Sequence, residues 1–256
     1  MTRKHSCYSR YGALVCALVL MTFIMLSPMM AVAQTADDIQ WDLEADVVVI
    51  GAGGAGLPAA LKAMQDGASV LLVEANWDVG GHAAVSEGNL HNGAYISEQQ
   101  KYDIVDSADL FYFDHTRGVP FTTRYNDREV VRSVANFMHV SYEFFLANGI
   151  KVTDAAPTAR NYYKDAINQN EPESVPRQIK TDGSDWVNQF TGTAVAGIGV
   201  TRPLEKSLRD QGAKFLLNYH MDSIYREEQL SGKVLGVQAT YTRPFCLAKP
   251  KPLRAL

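Results

Sequence analysis

Apolar positions along the chain run in unbroken stretches at some points and recur at helical spacing at others. Asp46-Val47-Val48-Val49-Ile50 is a continuous β-branched run, and Ser69 to Glu74 is a second apolar run. Such runs, without polar alternation, predict strands covered on both faces, as in a parallel sheet. Between them, Ala55 to Gln65 has helical composition and ends at Asp66-Gly67, a helix-stop signal. Pro58 is tolerated there because first-turn amides lack intrahelical acceptors. Strand, Gly51–Gly56 turn, helix and strand together have the size of one βαβ unit.

The remainder alternates helices, loops and strands. Asn126 or Asp127 caps a long helix that Gly149 ends, with Val130, Val134, Phe137, Met138 and Phe145 as its apolar face. Thr153 to Gln189 is polar and carries Pro157, Pro172 and Pro176. It reads as long loops of the kind that line a site or a cap. A Gly/Ala-rich stretch from Thr191 to Val200 precedes a helix from Arg202 to Gln211, stopped by Gly212. Three strand-like runs follow: Lys214 to Asn218, Met221 to Glu228 and Lys233 to Tyr241, the last two joined at Ser231-Gly232. From Thr242 the chain enters Arg243-Pro244-Phe245-Cys246 and a Pro/Lys-rich end. That tail has no recognisable pattern and is expected to be poorly ordered.

Composition changes the picture at the N-terminus. Arg3, Lys4 and Arg10 precede an apolar run from Ala13 to Leu26, and Ala31-Val32-Ala33 follows. This is the charged, apolar and small-residue order of a signal peptide cut after Ala33. The competing reading is an uncleaved anchor, for which the apolar run is short against the ~20 residues a span requires. Cleavage removes three basic and no acidic residues, leaving 21 basic and 28 acidic and a net charge of −7. No basic stripe suited to nucleic acid is present. Cys7 and Cys16 leave with the leader, so Cys246 has no internal disulfide partner. The expectation is an exported protein, periplasmic or secreted, with no stable membrane span after cleavage.

The chemistry concentrates in the first unit. Gly51-Ala52-Gly53-Gly54-Ala55-Gly56 is a G-x-G-x-x-G element directly after a strand and opening a helix. Gly51 permits the tight turn, Gly53 lets backbone approach a pyrophosphate, and Gly56 lets helix and strand pack closely. The helix N-terminus offers N–H groups and a positive dipole end to phosphates. Glu74 closes the second strand, where a carboxylate accepts from ribose hydroxyls and disfavours a 2′-phosphate. Trp77-Asp78-Val79-Gly80-Gly81-His82 and Ser86-Glu87-Gly88-Asn89 then supply a second close backbone approach. His91, His115, His139 and His220 share no metal-ligand spacing, and no metal site is expected.

These elements resemble the fumarate reductase/succinate dehydrogenase flavoprotein family, which includes 3-ketosteroid dehydrogenases. Within it they resemble bacterial FAD-binding dehydrogenases whose second element reads G-G-H-x-x-x-S-G-G-N. Tyr125-Asn126-Asp127-Arg128-Glu129 and the stretch Gly197-Ile198-Gly199 to Arg202-Pro203-Leu204-Glu205 look like the same subgroup. The resemblance covers roughly residues 45 to 241. It implies an α/β fold: a Rossmann-like FAD-binding domain of the GR2 type with a partial inserted capping region, C-terminally truncated. The implied division is a signal peptide at 1–33, a linker at 34–45, an FAD-binding domain at 46–241 with a mostly helical and loop insertion at about 100–195, and an unassigned tail at 242–256.

The implied cofactor is FAD. Gly51, Gly53, Gly54, Ala55, Gly56 and Glu74 would hold its ADP half. Gly81, His82 and Ser86 would follow the pyrophosphate and ribityl chain, Gly88 would lie near the isoalloxazine, and the main chain of Met221 would meet adenine. His82 falls where some members attach FAD covalently, the alternative being a polar contact to phosphate or backbone. Glu87 stands where the subgroup has a glycine, and either crowds the flavin or points to solvent. The implied activity is hydride transfer between flavin and a carbon next to a carbonyl or carboxylate, on a small-molecule substrate and with an unassigned electron partner. The alternatives are an inactive FAD-binding fragment and an NAD-dependent dehydrogenase. No catalytic acid is assigned, since the family's catalytic segment falls later in its chains. Tyr162, Tyr163 and Trp186 read as cap or packing residues, and Arg177, Lys180, Asp182 and Asp185 as a solvated loop.

Overall fold

The computed structural model describes residues 39–118, 126–159, 175–184, 197–228, 230–242 and 252–255. The leader, Tyr125, Tyr162, Tyr163, Asp185, Trp186 and Cys246 lie outside the described residues. In chain order the elements are β1 (Val47–Ile50), α1 (Gly56–Gln65), β2 (Val70–Glu74), α2 (Gly81–Ala84), β3 (Asn89–His91), α3 (Ser97–Lys101), α4 (Ala108–Phe113), a π-turn (Asp114–Gly118), α5 (Arg128–Ala147), β4 (Gln178–Lys180), α6 (Ile198–Asp210), β5 (Lys214–Leu217), β6 (Tyr219–Arg226), β7 (Val234–Tyr241) and β8 (Pro252–Ala255).

β2 is the spine. It pairs in parallel with β1 on one side and β5 on the other. Successive side chains of a strand point to opposite faces, and all five residues of β2 are buried. Val70 and Leu72 pack with Leu57 and Leu61 of α1 and Leu204 and Leu208 of α6. Leu71 and Val73 pack on the opposite face with Val237 and Ala239 of β7. The Val-Leu-Leu-Val run is continuous because helices cover one face and the antiparallel β6–β7–β8 sheet covers the other.

β1 departs from the same expectation. Its valines are only half-buried and Ile50 is 43% exposed. Among the described residues β1 is the edge of the parallel sheet, partnered by β2 alone. A β-branched run therefore marked a strand correctly but overstated its coverage.

Other differences have local causes. Asp127 caps α5 by accepting from the Glu129 and Val130 amides, as read. The buried side of α5 matches the predicted face only in part: Met138 and Phe145 are half-buried, and Phe145 packs on the core. Val130, Val134 and Phe137 are exposed, whereas Ala135 and Tyr142 are buried. Packing of Tyr142 with Ile96 and Ile179 rotates the buried side toward Ala135 and Tyr142. α6 begins at Ile198 rather than Arg202, with Pro203 inside it. Its first turn is held by packing, since a Cβ on Gly197 would lie 2.1 Å from the Ala83 carbonyl oxygen and one on Gly199 would lie 3.0 Å from that of Asp182. β4 interrupts the polar stretch read as loop, pairing antiparallel with β3. Part of the tail departs from the expected poor order: β8 pairs with β7, Ala255 opposite Val237 and Pro252 opposite Thr240.

Candidate functional site

The Gly51–Gly56 turn sits at the C-terminal end of β1 and opens α1. Gly51 has φ +91° and its N–H donates to the Val73 carbonyl at 2.7 Å, tying the turn to β2. A Cβ on Gly56 would lie 1.8 Å from the Gly51 carbonyl oxygen, so helix and strand can meet only at glycine. Gly53 is different. Among the described residues a Cβ there would meet only the Gly80 carbonyl oxygen, at 3.8 Å. Among the described residues nothing crowds a side chain at 53, so the backbone there is open to close approach by a ligand. Among the described residues no side chain caps α1, and no acid lies in its first turn. Gly54 and Ala55 are exposed at this positive end, where an anion finds free N–H groups. The residues present therefore fit a pyrophosphate.

The second glycine pair meets the first. The Gly80 N–H donates to the Ala52 carbonyl at 2.7 Å, and Gly53 and Gly80 form a parallel bridge. Gly81 faces the Gly53 Cα. Two stretches of side-chain-free backbone thus converge, although 27 residues separate Gly53 from Gly80 in the sequence.

Glu74 is 6% exposed at the end of β2. Its Oε2 accepts from the Ala52 N–H at 2.8 Å, and its Oε1 accepts from the Asn76 N–H at 2.7 Å and Nδ2 at 3.0 Å. The carboxylate thereby braces the glycine turn itself. Each carboxylate oxygen offers about two lone pairs, so Oε2, with one donor against two on Oε1, has room for a further donor. The Asn218 N–H donates to the Asn76 carbonyl at 2.9 Å, which brings the start of β6 to this corner. Met221 follows on β6, half-buried and opposite Ala239, with a bulge at Asp222 directly after it.

Beyond Gly81 the predicted residues separate in role. His82 is exposed on α2. The Ser86 hydroxyl is turned onto its own loop, donating to the Ala83 carbonyl at 2.8 Å and accepting from the Gly88 N–H at 3.2 Å. Glu87 is exposed and its Oε2 accepts from Asn89 Nδ2, which favours the solvent-facing reading. Gly88 is buried with φ +69°.

Several supporting residues carry no signal in the sequence. Arg177, assigned to a solvated loop, is fully buried. Its Nε and Nη2 donate to both oxygens of Asp106 at 2.8 and 2.7 Å, and Nη1 donates to Asp114 at 2.5 Å. Burial opposes the charge on Arg177, but Asp106 and Asp114 outweigh it and hold its pKa above the ordinary value. Asp78 and Arg202 form a second pair beneath Gly80. Nothing in the sequence links such partners, which lie tens of residues apart. Among the described residues no group of three or more His, Cys, Asp or Glu could hold a metal ion. No helix of the described residues is long and apolar enough to cross a membrane.

The model of the FAD binding domain family matches residues 46–249. The fumarate reductase (cytochrome) of Shewanella frigidimarina is 35% identical over 109 residues, 43% of this chain and 18% of its own length. The acrylate reductase flavoprotein subunit of Shewanella woodyi is 27% identical over 218 residues, 84% of this chain and 37% of its own length. The crystal structure of 3-ketosteroid-delta4-(5alpha)-dehydrogenase from Rhodococcus jostii RHA1 shares the fold with a TM-score of 0.68 at 22% identity, covering 87% of this chain and 46% of that one. The chain thus spans less than half the length of each of these relatives. The family match selects FAD over the nicotinamide dinucleotide that the glycine turn alone also permits. From the paired glycine elements, the uncapped helix and this match, the chain belongs to the FAD binding domain family of flavoprotein oxidoreductases, with the α/β fold shared by fumarate reductases and ketosteroid dehydrogenases.

Proposed function

We propose that this chain carries the FAD-holding part of an oxidoreductase that reduces an activated carbon–carbon double bond next to a carboxylate. The observation that carries the cofactor half is the convergence of Gly53 and Gly80 at the uncapped end of α1, beside the buried Glu74. The enoate preference rests on similarity to the acrylate and fumarate reductases. Bound FAD would supply the hydride-exchanging centre. The chain's own residues would anchor the diphosphate at Gly53–Gly56 and the ribose at Glu74, and would direct the Gly81–Gly88 stretch toward the flavin. We assign residues 100–195 to part of a cap over that site. Ketosteroid-type dehydrogenation is the second reading, supported by the fold shared with the Rhodococcus jostii enzyme.

The test is spectroscopic and then kinetic. Purified protein reconstituted with FAD is expected to show oxidised-flavin absorbance and no affinity for NADP. Reduced dye should then be reoxidised by acrylate or fumarate. Reoxidation by a 3-ketosteroid but not by either enoate selects the second reading, and flavin binding without any turnover selects a binding fragment. Failure to take up FAD removes the cofactor assignment altogether.

We further propose export through the leader at residues 1–33, based on its charged, apolar and Ala31-Val32-Ala33 segments. Bacterial expression should yield a mature chain beginning at Gln34. Intact Met1 on cytoplasmic protein contradicts this.

A further inference from the structure

Thr181 closes the β3–β4 ribbon at its Gly88 end. The Gly88 carbonyl oxygen accepts twice from this one residue, from the Thr181 N–H at 3.1 Å and from Oγ1 at 2.8 Å. Thr181 is 1% exposed, and the double bond stands where the chain leaves the ribbon for the left-handed conformation of Gly88. A ladder's last rung frays when only one backbone bond holds it, and the hydroxyl adds a second bond to the same acceptor.

The register turns this clasp into an orientation. The Asn92 N–H donates to the Arg177 carbonyl and the Thr181 N–H to the Gly88 carbonyl, so the Gly88 carbonyl and the Asn92 N–H point at β4. Bonded and non-bonded pairs alternate along an antiparallel ladder, so positions 89 and 91 point their polar groups the other way. The peptide plane is rigid and trans, so holding the Gly88 carbonyl toward β4 directs the Asn89 N–H to the opposite side.

β4 is itself immobilised from behind. Gln178 bridges to Thr158, Thr181 bridges to Val152, and the Asp182 N–H donates to the Lys151 carbonyl at 2.8 Å. At its far end Arg177 is locked to Asp106 and Asp114, while Gln99 Nε2 donates to Asp106 at 2.9 Å. Gly93 is packed so tightly on this cluster that a Cβ would lie 2.6 Å from both Arg177 Cδ and Asp106 Oδ2.

We infer that Thr181 is a positioning residue for the flavin-side turn: its hydroxyl and amide, braced by the buried Arg177 cluster, set the orientation of the Gly88–Asn89 peptide. The inference rests on the reading above that Gly88 lies beside the isoalloxazine. Thr181 does not touch the reacting atoms in this scheme. It acts through the backbone donor it aims.

The experiment compares the full chain and its Thr181→Val and Thr181→Ser variants, each reconstituted with FAD. Val keeps the shape and removes the hydroxyl, whereas Ser keeps the hydroxyl and removes a methyl. Flavin absorbance band shape and midpoint potential are the readouts, with the FAD dissociation constant alongside. Thr181→Val is expected to shift band shape and potential and to weaken FAD roughly 3- to 10-fold, the worth of one hydrogen bond. Thr181→Ser is expected to match the unaltered protein. If Thr181→Val does not fold, Thr181→Cys, similar in size with a weak donor, carries the same comparison. A Val variant with unaltered spectrum and potential overturns the inference, and so does a Ser variant that behaves like Val. An unaltered protein that takes up no FAD overturns the functional reading and this inference with it.

Discussion

Arg202 grips Asp78 through both terminal guanidinium nitrogens, at 2.5 and 2.9 Å, across 124 positions of sequence. Asp78 lies two residues before Gly80, whose N–H binds the Ala52 carbonyl. The pair therefore fastens the second glycine element to the first through α6. Arg202 hydrogen bonding is the largest influence on the Asp78 carboxyl and holds it below the usual carboxylate range against partial burial. Arg202→Met should loosen the Gly80–Gly81 turn and weaken FAD about 10-fold, or ~1.4 kcal/mol. Arg202→Lys should recover little, since an ammonium cannot make the two parallel bonds. Titration of flavin fluorescence measures both, and equal affinity in all three proteins would remove this role.

The glycines of the first turn should divide by mutation. Gly56→Ala forces a Cβ into the Gly51 carbonyl oxygen, so the main chain must move and the melting temperature should fall by several degrees with or without cofactor. Among the described residues Gly53→Ala meets nothing closer than 3.8 Å. Its apo melting temperature should stay within about 2 °C of the unaltered chain, while FAD binding is lost. Calorimetry and absorbance on the two variants check this. A Gly53→Ala protein that binds FAD normally would show that the pyrophosphate does not pass there.

The parts of the fold that local pattern could reveal are those in which one residue run meets one environment. Val70 to Val73 is continuous because both sheet faces are buried, and Gly51 to Gly56 followed by Glu74 encodes its own turn, helix and acid. Where two environments compete for one pattern, sequence decides less. The predicted face of α5 joins Val130, Val134 and Phe137, which are exposed, to Met138 and Phe145, which are half-buried, and packing of Tyr142 with Ile96 and Ile179 rotates the buried side toward Ala135 and Tyr142. Arg177 lies among Pro176, Gln178 and Lys180, which reads as solvated. Its carboxylate partners come from 71 and 63 positions away, so no window contains the reason for its burial. β3 and β4 have three residues each, too short to establish a period.

Tyr142 offers a stability test inside α5. The ring is fully buried with Ile96 and Ile179, and among the described residues its hydroxyl has no hydrogen-bond partner. Burial is the main influence pushing its pKa above the ordinary phenol value, with Glu98 and Glu143 adding to it, so the group stays neutral at physiological pH. A buried unpaired hydroxyl costs roughly 1–3 kcal/mol. Tyr142→Phe removes the polar atom and keeps the ring, and should leave stability unchanged or raise it by about 1 kcal/mol. Denaturant midpoints read the difference, and a loss above about 1 kcal/mol would reveal a hydroxyl partner.

The Arg177 cluster should make the protein acid-sensitive through Asp106. Burial alone would raise the Asp106 carboxyl, but hydrogen bonds from Arg177 and Gln99, the charge of Arg177 and the Ala94 amide together bring it below the ordinary value. A carboxylate with a depressed folded-state pKa stabilises the fold above its unfolded pKa, about 4, and that contribution is lost as pH falls through the folded value. Stability should therefore be steady from neutral pH to about pH 4 and then decline. Asp106→Asn keeps the size but leaves the Arg177 guanidinium with Asp114 as its remaining carboxylate. Breaking one side of a buried pair costs about 3–5 kcal/mol. The variant should be destabilised by that order at pH 7, yet should lose less than the unaltered chain on further acidification. Urea midpoints from pH 7 to about pH 3 separate the two effects. Parallel declines in both proteins would place the acid sensitivity elsewhere, in pairs such as Asp78–Arg202.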